Sequence, residues 1–140
     1  MSSNDSAQPV PRPFHIVDLN YVSLYVRDFE AAARFYRRVF GEPGDREDGG
    51  RQLGWRMGAT WLTLFPGGVS GQPDANPRNA EFAVQVAAPE EVDALHAALL
   101  AAGATTMTVP CDTVMYQPMR FACVDDPFGT RIDVYCPLQP

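Results

Sequence analysis

The feature that most constrains the fold is an internal duplication. In "LNYVSLYVRD", Val22, Leu24 and Val26 alternate with Tyr21, Ser23 and Tyr25, the period of a strand with one apolar and one mixed face. Asp28 is positioned as the cap of a helix, "FEAAARFYRRVF". Glu30 lies in its first turn and Arg37 and Arg38 near its end, matching the helix dipole. Ala32, Phe35 and Val39, with Tyr36 and Phe40, form its apolar stripe, and Gly41 stops it. "EPGDREDGG" reads as a polar loop or a poor edge strand. "RQLGWRM" and "TWLTLF" read as strands joined by a tight turn at Gly58-Ala59.

After the Gly- and Pro-rich stretch "PGGVSGQPDANPRN" the pattern returns. In "EFAVQVA", Phe82, Val84 and Val86 alternate with Glu81, Ala83 and Gln85. Pro89 opens a second helix with the stripe Val92, Leu95 and Leu99, closed by Gly103. Strands follow at Thr105–Val109, Met119–Val124 and Arg131–Tyr135. Val22 and Val26 correspond to Phe82 and Val86 at an offset of 60, and Leu62-Thr63-Leu64 to Ile132-Asp133-Val134 at an offset of 70. Two copies of such a unit imply a duplicated domain, not a solenoid. The expected organisation is a flexible tail over residues 1–14 and a single domain over 15–140. Its modules span about 15–66 and 79–137, with a linker at 67–78.

Composition narrows the function classes. The 140 residues carry a net charge of −6 with no basic cluster, which argues against a nucleic-acid partner. No apolar run approaches the roughly 20 residues that span a bilayer. The polar, Pro-rich start lacks the regions of a signal peptide, so the expected location is cytoplasmic. Cys111, Cys123 and Cys136 are odd in number and form no CxxC pair, so neither a disulfide framework nor a zinc knuckle is expected.

"YVSLYVRDFEAAARFYRRVFG" and "DPFGTRIDVY" resemble the opening strand and helix and the closing turn and strand of the vicinal oxygen chelate superfamily. That superfamily includes glyoxalase I, bleomycin and fosfomycin resistance proteins, and extradiol dioxygenases. The resemblance covers about residues 16–137. It implies an α+β fold in which two βαβββ modules in pseudo-twofold arrangement form a cup-shaped mixed sheet with the helices outside. Val22, Leu24, Val26, Leu62, Leu64, Phe82, Val84, Val86, Ile132 and Val134 should then pack under the helices. The alternate residues should line the cup.

Metal-dependent members hold their ion at four strand positions. By match to the family pattern these are Tyr21, Thr63, Glu81 and Asp133 here, with the strand of Thr63 the least fixed in register. Zinc, iron and nickel want imidazole beside carboxylate. The two histidines, His15 before the first strand and His96 within a helix, are not placed to supply it. No metal ligand and no cofactor are therefore assigned, and a divalent ion held by the two carboxylates is the alternative.

The candidate ligand-binding residues are Tyr21, Tyr25, Trp61, Thr63, Phe65, Glu81, Met115, Tyr116, Phe121, Asp133 and Tyr135. Met115 and Tyr116 are taken to lie in a loop that closes the cup. An aromatic-lined concavity suits a flat ligand. Asp133 can be read as a metal ligand, a solvated charge, or a polar fixture that accepts hydrogen bonds from a ligand, Arg131, Arg56 or a tyrosine, and the third reading is preferred. If Glu81 and Asp133 lie close together, one of them stays protonated at neutral pH and becomes a candidate general acid or base.

The leading expectation is a metal-free binding protein of the bleomycin-resistance type, doing no chemistry. It would sequester an aromatic metabolite or antibiotic and act as a homodimer. The alternatives are a metal-dependent lyase, isomerase or dioxygenase, and a metal-free enzyme that moves a proton through Glu81 or Asp133.

Overall fold

The computed structural model describes residues 13–139. The expected tail over residues 1–14 falls mostly outside them. The first module runs β1 (Tyr21–Val26), α1 (Phe29–Phe40), β2 (Asp45–Glu47), β3 (Gln52–Met57) and β4 (Thr60–Pro66). The second runs β5 (Ala80–Gln85), α2 (Pro89–Ala101), β6 (Thr105–Met115), β7 (Gln117–Asp125) and β8 (Thr130–Pro137). Each module folds its strands into one four-stranded sheet, ordered β1-β4-β3-β2 and β5-β8-β7-β6. In each, the first strand pairs in parallel with the last, and the other pairings are antiparallel.

The duplication extends to the register. Tyr21 faces Trp61 across the first parallel ladder, and Glu81 faces Arg131 across the second. These are the same positions at the offsets of 60 and 70 read from sequence. A one-residue slip would turn every apolar side chain to the opposite face, so alternation fixes the register. Leu24, Val26, Leu62, Leu64, Ile132 and Val134 are buried as expected. Burying one such side chain stabilises the fold by about 1.5–3 kcal/mol.

Four of the residues expected under the helices depart from that pattern. Val22, Phe82, Val84 and Val86 point the expected way but are only half-buried. Trp55 lies buried on the helix side. Its indole Nε1–H donates to the Gly41 carbonyl at 2.8 Å, tying β3 to the end of α1.

The modules are joined through "FY" of α1 and "DPFG" of the β7–β8 turn. The Tyr36 hydroxyl donates to Asp126 Oδ2 at 2.6 Å, and the Phe35 ring meets Phe128 edge-on at 6.1 Å. Asp126 Oδ1 accepts the backbone N–H groups of Phe128 and Thr130 at 2.8 and 2.9 Å, so one carboxylate shapes the turn and holds the helix. Burial pushes the Asp126 carboxyl above its ordinary range, and the three donors oppose that shift. Gly129 has a φ of +94°, and an added Cβ would run into the Pro77 carbonyl, so the linker is seated on this turn.

Asp28 stands at the start of α1 but does not cap it as expected. The Asp28 carboxylate makes no capping bond. It receives Arg27 and the side-chain amide of Asn76, whose oxygen in turn accepts the Asp28 N–H at 3.2 Å.

Two further expectations are revised. Part of "EPGDREDGG" forms β2, a three-residue edge strand. The segment 109–119, read as a loop, continues β6 and β7 as a long hairpin with Tyr116 alone at its tip, at a φ of +63°. No helix among the described residues is long and apolar enough to cross a membrane.

Tyr36→Phe removes one of three donors from a buried carboxylate. It should cost about 1.5–3 kcal/mol in urea unfolding followed by tryptophan fluorescence.

Candidate functional site

Strand alternation and register place three rows of three residues on the inner face of the second sheet. The rows are Glu81–Arg131–Asp125, Ala83–Asp133–Cys123 and Gln85–Tyr135–Phe121, each running from β5 through β8 to β7. The equivalent rows of the first sheet include Tyr21–Trp61–Arg56 and Ser23–Thr63–Gly54. Asp133 therefore occupies the centre of one face as Thr63 does of the other. Thr63 pairs with Ser23 as Asp133 pairs with Ala83.

The polar groups of the second face are unevenly satisfied. The Arg131 guanidinium donates to both carboxylate oxygens of Asp125 at 2.8 and 3.2 Å, holding that carboxyl below its usual range. The Tyr135 hydroxyl donates to Gln85 Oε1 at 3.3 Å, and Arg56 Nε–H to the Gly58 carbonyl at 3.1 Å. The partners expected for Asp133 are thus engaged elsewhere. Its Oδ1 is buried without a hydrogen-bond partner among the described residues.

Glu81 is exposed. The neighbouring Asp133 carboxyl raises its carboxyl above the usual range. Burial, followed by the neighbouring Asp133 carboxylate, pushes the Cys123 thiol up to about 12. Cys123 is therefore a neutral thiol at physiological pH, without the thiolate needed for nucleophilic attack.

The first face is aromatic. Tyr25 and Phe65 stack with centroids 4.9 Å apart and an interplanar angle of 12°. Trp61 lies across two glycines: a Cβ on Gly54 would sit 3.2 Å from the indole, and one on Gly44 at 3.5 Å. Tyr21 is 68% exposed and Thr63 only 4%.

Met115 and Tyr116 stand exposed at the hairpin tip, away from the two hollows beside β5. His96 is buried, bonding Thr106 Oγ1 at 2.8 Å between α2 and β6, and His15 is exposed before β1. Arg120 is held by Asp93 and Asp112 at 2.6 and 2.9 Å, on the helix side of β7.

The four positions equivalent to family metal ligands do not fit a transition metal. They supply an exposed phenol, a buried hydroxyl and two carboxylates, with no imidazole. No group of three or more His, Cys, Asp or Glu side chains converges among the described residues.

Two hollows flank β5. A polar one of about 440 Å³ is lined by Asn79, Glu81, Asp125 and Arg131. An apolar groove of about 930 Å³ lies on the other side, against Val22, Leu62, Phe82, Val84, Val86 and Leu95. Sequence reasoning missed this groove, because alternation reads the same for a strand under its own helix and for one facing a groove.

Asp133→Asn should return the Glu81 carboxyl toward its ordinary range in an NMR titration. The raised Glu81 value means a stabilising contribution that is present at acid pH and lost as pH rises through the folded-state value. The variant should lose that component of the pH dependence. Gly54→Ala should displace the Trp61 indole and shift its fluorescence, at a stability cost of about 1 kcal/mol.

A search among curated proteins finds no match. Among solved structures, the chain is similar to a glyoxalase-related enzyme from Fulvimarina pelagi, at 24% identity and a TM-score of 0.70, over 86% of this chain and 88% of that one. It is also similar to a glyoxalase/bleomycin resistance protein/dioxygenase family enzyme from Burkholderia phytofirmans PsJN, at 25% identity and a TM-score of 0.68, over 87% and 100%. A lactoylglutathione lyase from Agrobacterium tumefaciens matches at 23% identity and a TM-score of 0.67, over 87% and 95%. Residues 18–134 match the family described as the Glyoxalase/Bleomycin resistance protein/Dioxygenase superfamily. With paired βαβββ modules and this match over most of its length, the chain belongs to the glyoxalase/bleomycin resistance protein/dioxygenase superfamily.

Proposed function

We propose that this protein is a metal-free binder of the bleomycin-resistance type that sequesters an aromatic metabolite or antibiotic. The observation that carries the reading is the donor set at Tyr21, Thr63, Glu81 and Asp133. It lacks imidazole, while the same faces carry the aromatic rings Tyr25, Trp61, Phe65, Phe121 and Tyr135. Aromatic faces with a few fixed polar groups hold flat ligands by stacking and orient them by hydrogen bonds.

The binder acts as a homodimer in this reading. Met107, Val109, Val114, Met115 and Tyr116 expose a run of apolar side chains along the β6–β7 hairpin, more than an isolated surface strand usually carries. Met115 and Tyr116 keep a ligand-binding role only if a second copy brings the tip to its site.

A second reading, a metal-free enzyme moving a proton through Glu81 or Asp133, is favoured by the raised Glu81 carboxyl alone.

Protein incubated with a panel of aromatic antibiotics should return every bound compound chemically unaltered by mass spectrometry. Chelator treatment should leave binding unchanged. An altered compound whose formation stops in Asp133→Asn would establish the proton-transfer enzyme instead. Stoichiometric metal whose removal abolishes function would establish the metal-dependent one.

A further inference from the structure

The apolar groove beside β5 follows the open edge of that strand. Every residue from 81 to 87 lines it, from both faces of the strand, and Val22 and Leu62 of the first module form the opposite wall. β5 is the outermost strand of its sheet and pairs with β8 on one side. Among the described residues, its other edge carries no ladder. A free edge with its row of N–H and C=O groups is a template for an added strand.

The chain also carries a segment suited to such a place. In "FHIVDL", residues 14–19 ahead of β1, the large apolar side chains Phe14, Ile16, Val17 and Leu19 all stand exposed. An exposed run of this kind is an anomaly on a soluble surface unless another surface covers it. In an extended segment Phe14 and Ile16 point one way and Val17 and Leu19 the other, the pattern of a strand covered on both faces. Its six residues match the six of β5 in length.

The segment does not occupy the groove of its own chain. Leu19 reaches the rim. There the Thr60 hydroxyl donates to the Leu19 carbonyl at 2.8 Å, and the Trp61 N–H donates to the Asn20 carbonyl at 2.7 Å. These bonds tie residues 19 and 20 to the start of β4 and set the direction of the chain ahead of them. Along that direction Ile16 and Val17 are 80% and 88% exposed. Residues 1–12 are polar and Pro-rich in sequence and offer little apolar surface to fill the groove instead.

We propose that residues 14–19 of one copy add to the open edge of β5 in a second copy and fill its groove, the exchange being reciprocal. Phe82, Val84 and Val86, half-buried in the single chain, are covered by the arriving segment. A twofold exchange leaves neither a free arm nor a free edge. At about 60–120 Å² for each apolar side chain, two arms and the groove surface beneath them bury on the order of 1,000–2,000 Å², the size of a stable interface. The arm lies apart from the exposed β6–β7 hairpin, so the two surfaces are tested by different substitutions.

The full chain should be a dimer by light scattering at micromolar concentration. Isotope-filtered NOEs between labelled and unlabelled copies should join the Ile16 and Val17 methyls to those of Val84 and Val86. Ile16→Asp with Val17→Asp alters two side chains outside every strand and should leave the fold intact. It should weaken dimerisation at least about a hundredfold. With the groove uncovered, 1-anilinonaphthalene-8-sulfonate should show NOEs to Val84 and Val86 in that variant and not in the wild type.

The same NOEs arising within one copy would overturn the exchange in favour of a folded-back arm. A dimer that survives the double substitution and dissociates with Val114→Asp would overturn it in favour of the hairpin. Dye NOEs to Val84 and Val86 in the wild-type dimer would show an open groove and overturn it as well. A monomeric wild-type chain would sink both the exchange and the homodimer of the functional reading, while leaving ligand binding by the inner faces standing.

Discussion

The Tyr36–Asp126 hydrogen bond is the contact on which the relation between the two modules rests. Each sheet is built from its own module's strands, and among the described residues the two share no ladder. The modules meet through side chains, and the shortest polar contact between them is this buried one at 2.6 Å. Asp126 also organises the β7–β8 turn through two backbone N–H groups, so the turn leading into β8 and the docking of α1 depend on one carboxylate. Burial raises the Tyr36 phenol well above its usual range, which keeps the hydroxyl protonated and able to donate. A low-dielectric setting strengthens such a bond and penalises loss of either partner.

Around that joint, the two copies have diverged at the centre of their inner faces. The first keeps Ser23, Thr63 and Gly54 there, a small and neutral row that leaves room for aromatic neighbours. The second carries Ala83, Asp133 and Cys123 at the same positions. One face thus supplies aromatic surface and the other a charged acceptor. The cysteine is held neutral by the burial and charge that surround it, so the second face concentrates its polarity in the carboxylates.

Much of the fold was legible in the sequence because the duplicated signals agree with one another. Alternation in "YVSLYV" and "EFAVQV", the helix stripes and the Gly and Pro punctuation all favour the same two units, and the offsets of 60 and 70 set corresponding ladders. The less legible parts lacked a local signal. β2 has only three residues and a polar composition. The turn at Tyr116 has a positive φ without the Gly or Asn that would announce it. Asp28 is engaged by Asn76 from 48 residues away and not by the first turn of its own helix, which no local capping pattern announces.

At the candidate site, the sequence by itself determined which residues share a face. A strand has a period of two, and "RIDVY" cannot bury Ile132 and Val134 without turning Arg131, Asp133 and Tyr135 the other way. It also determined the ligand types present at the four family positions, since those are residue identities. Only the tertiary structure decided who meets whom. Arg131 pairs with Asp125 across the β7–β8 ladder, Tyr135 turns to Gln85, and one Asp133 oxygen is without a hydrogen-bond partner among the described residues. It likewise decided that Phe82, Val84 and Val86 face a groove while Ile132 and Val134 are sealed. The reason is physical: a side chain's direction is set by its own backbone, whereas its partners and burial depend on segments distant in the chain, whose positions no local pattern encodes.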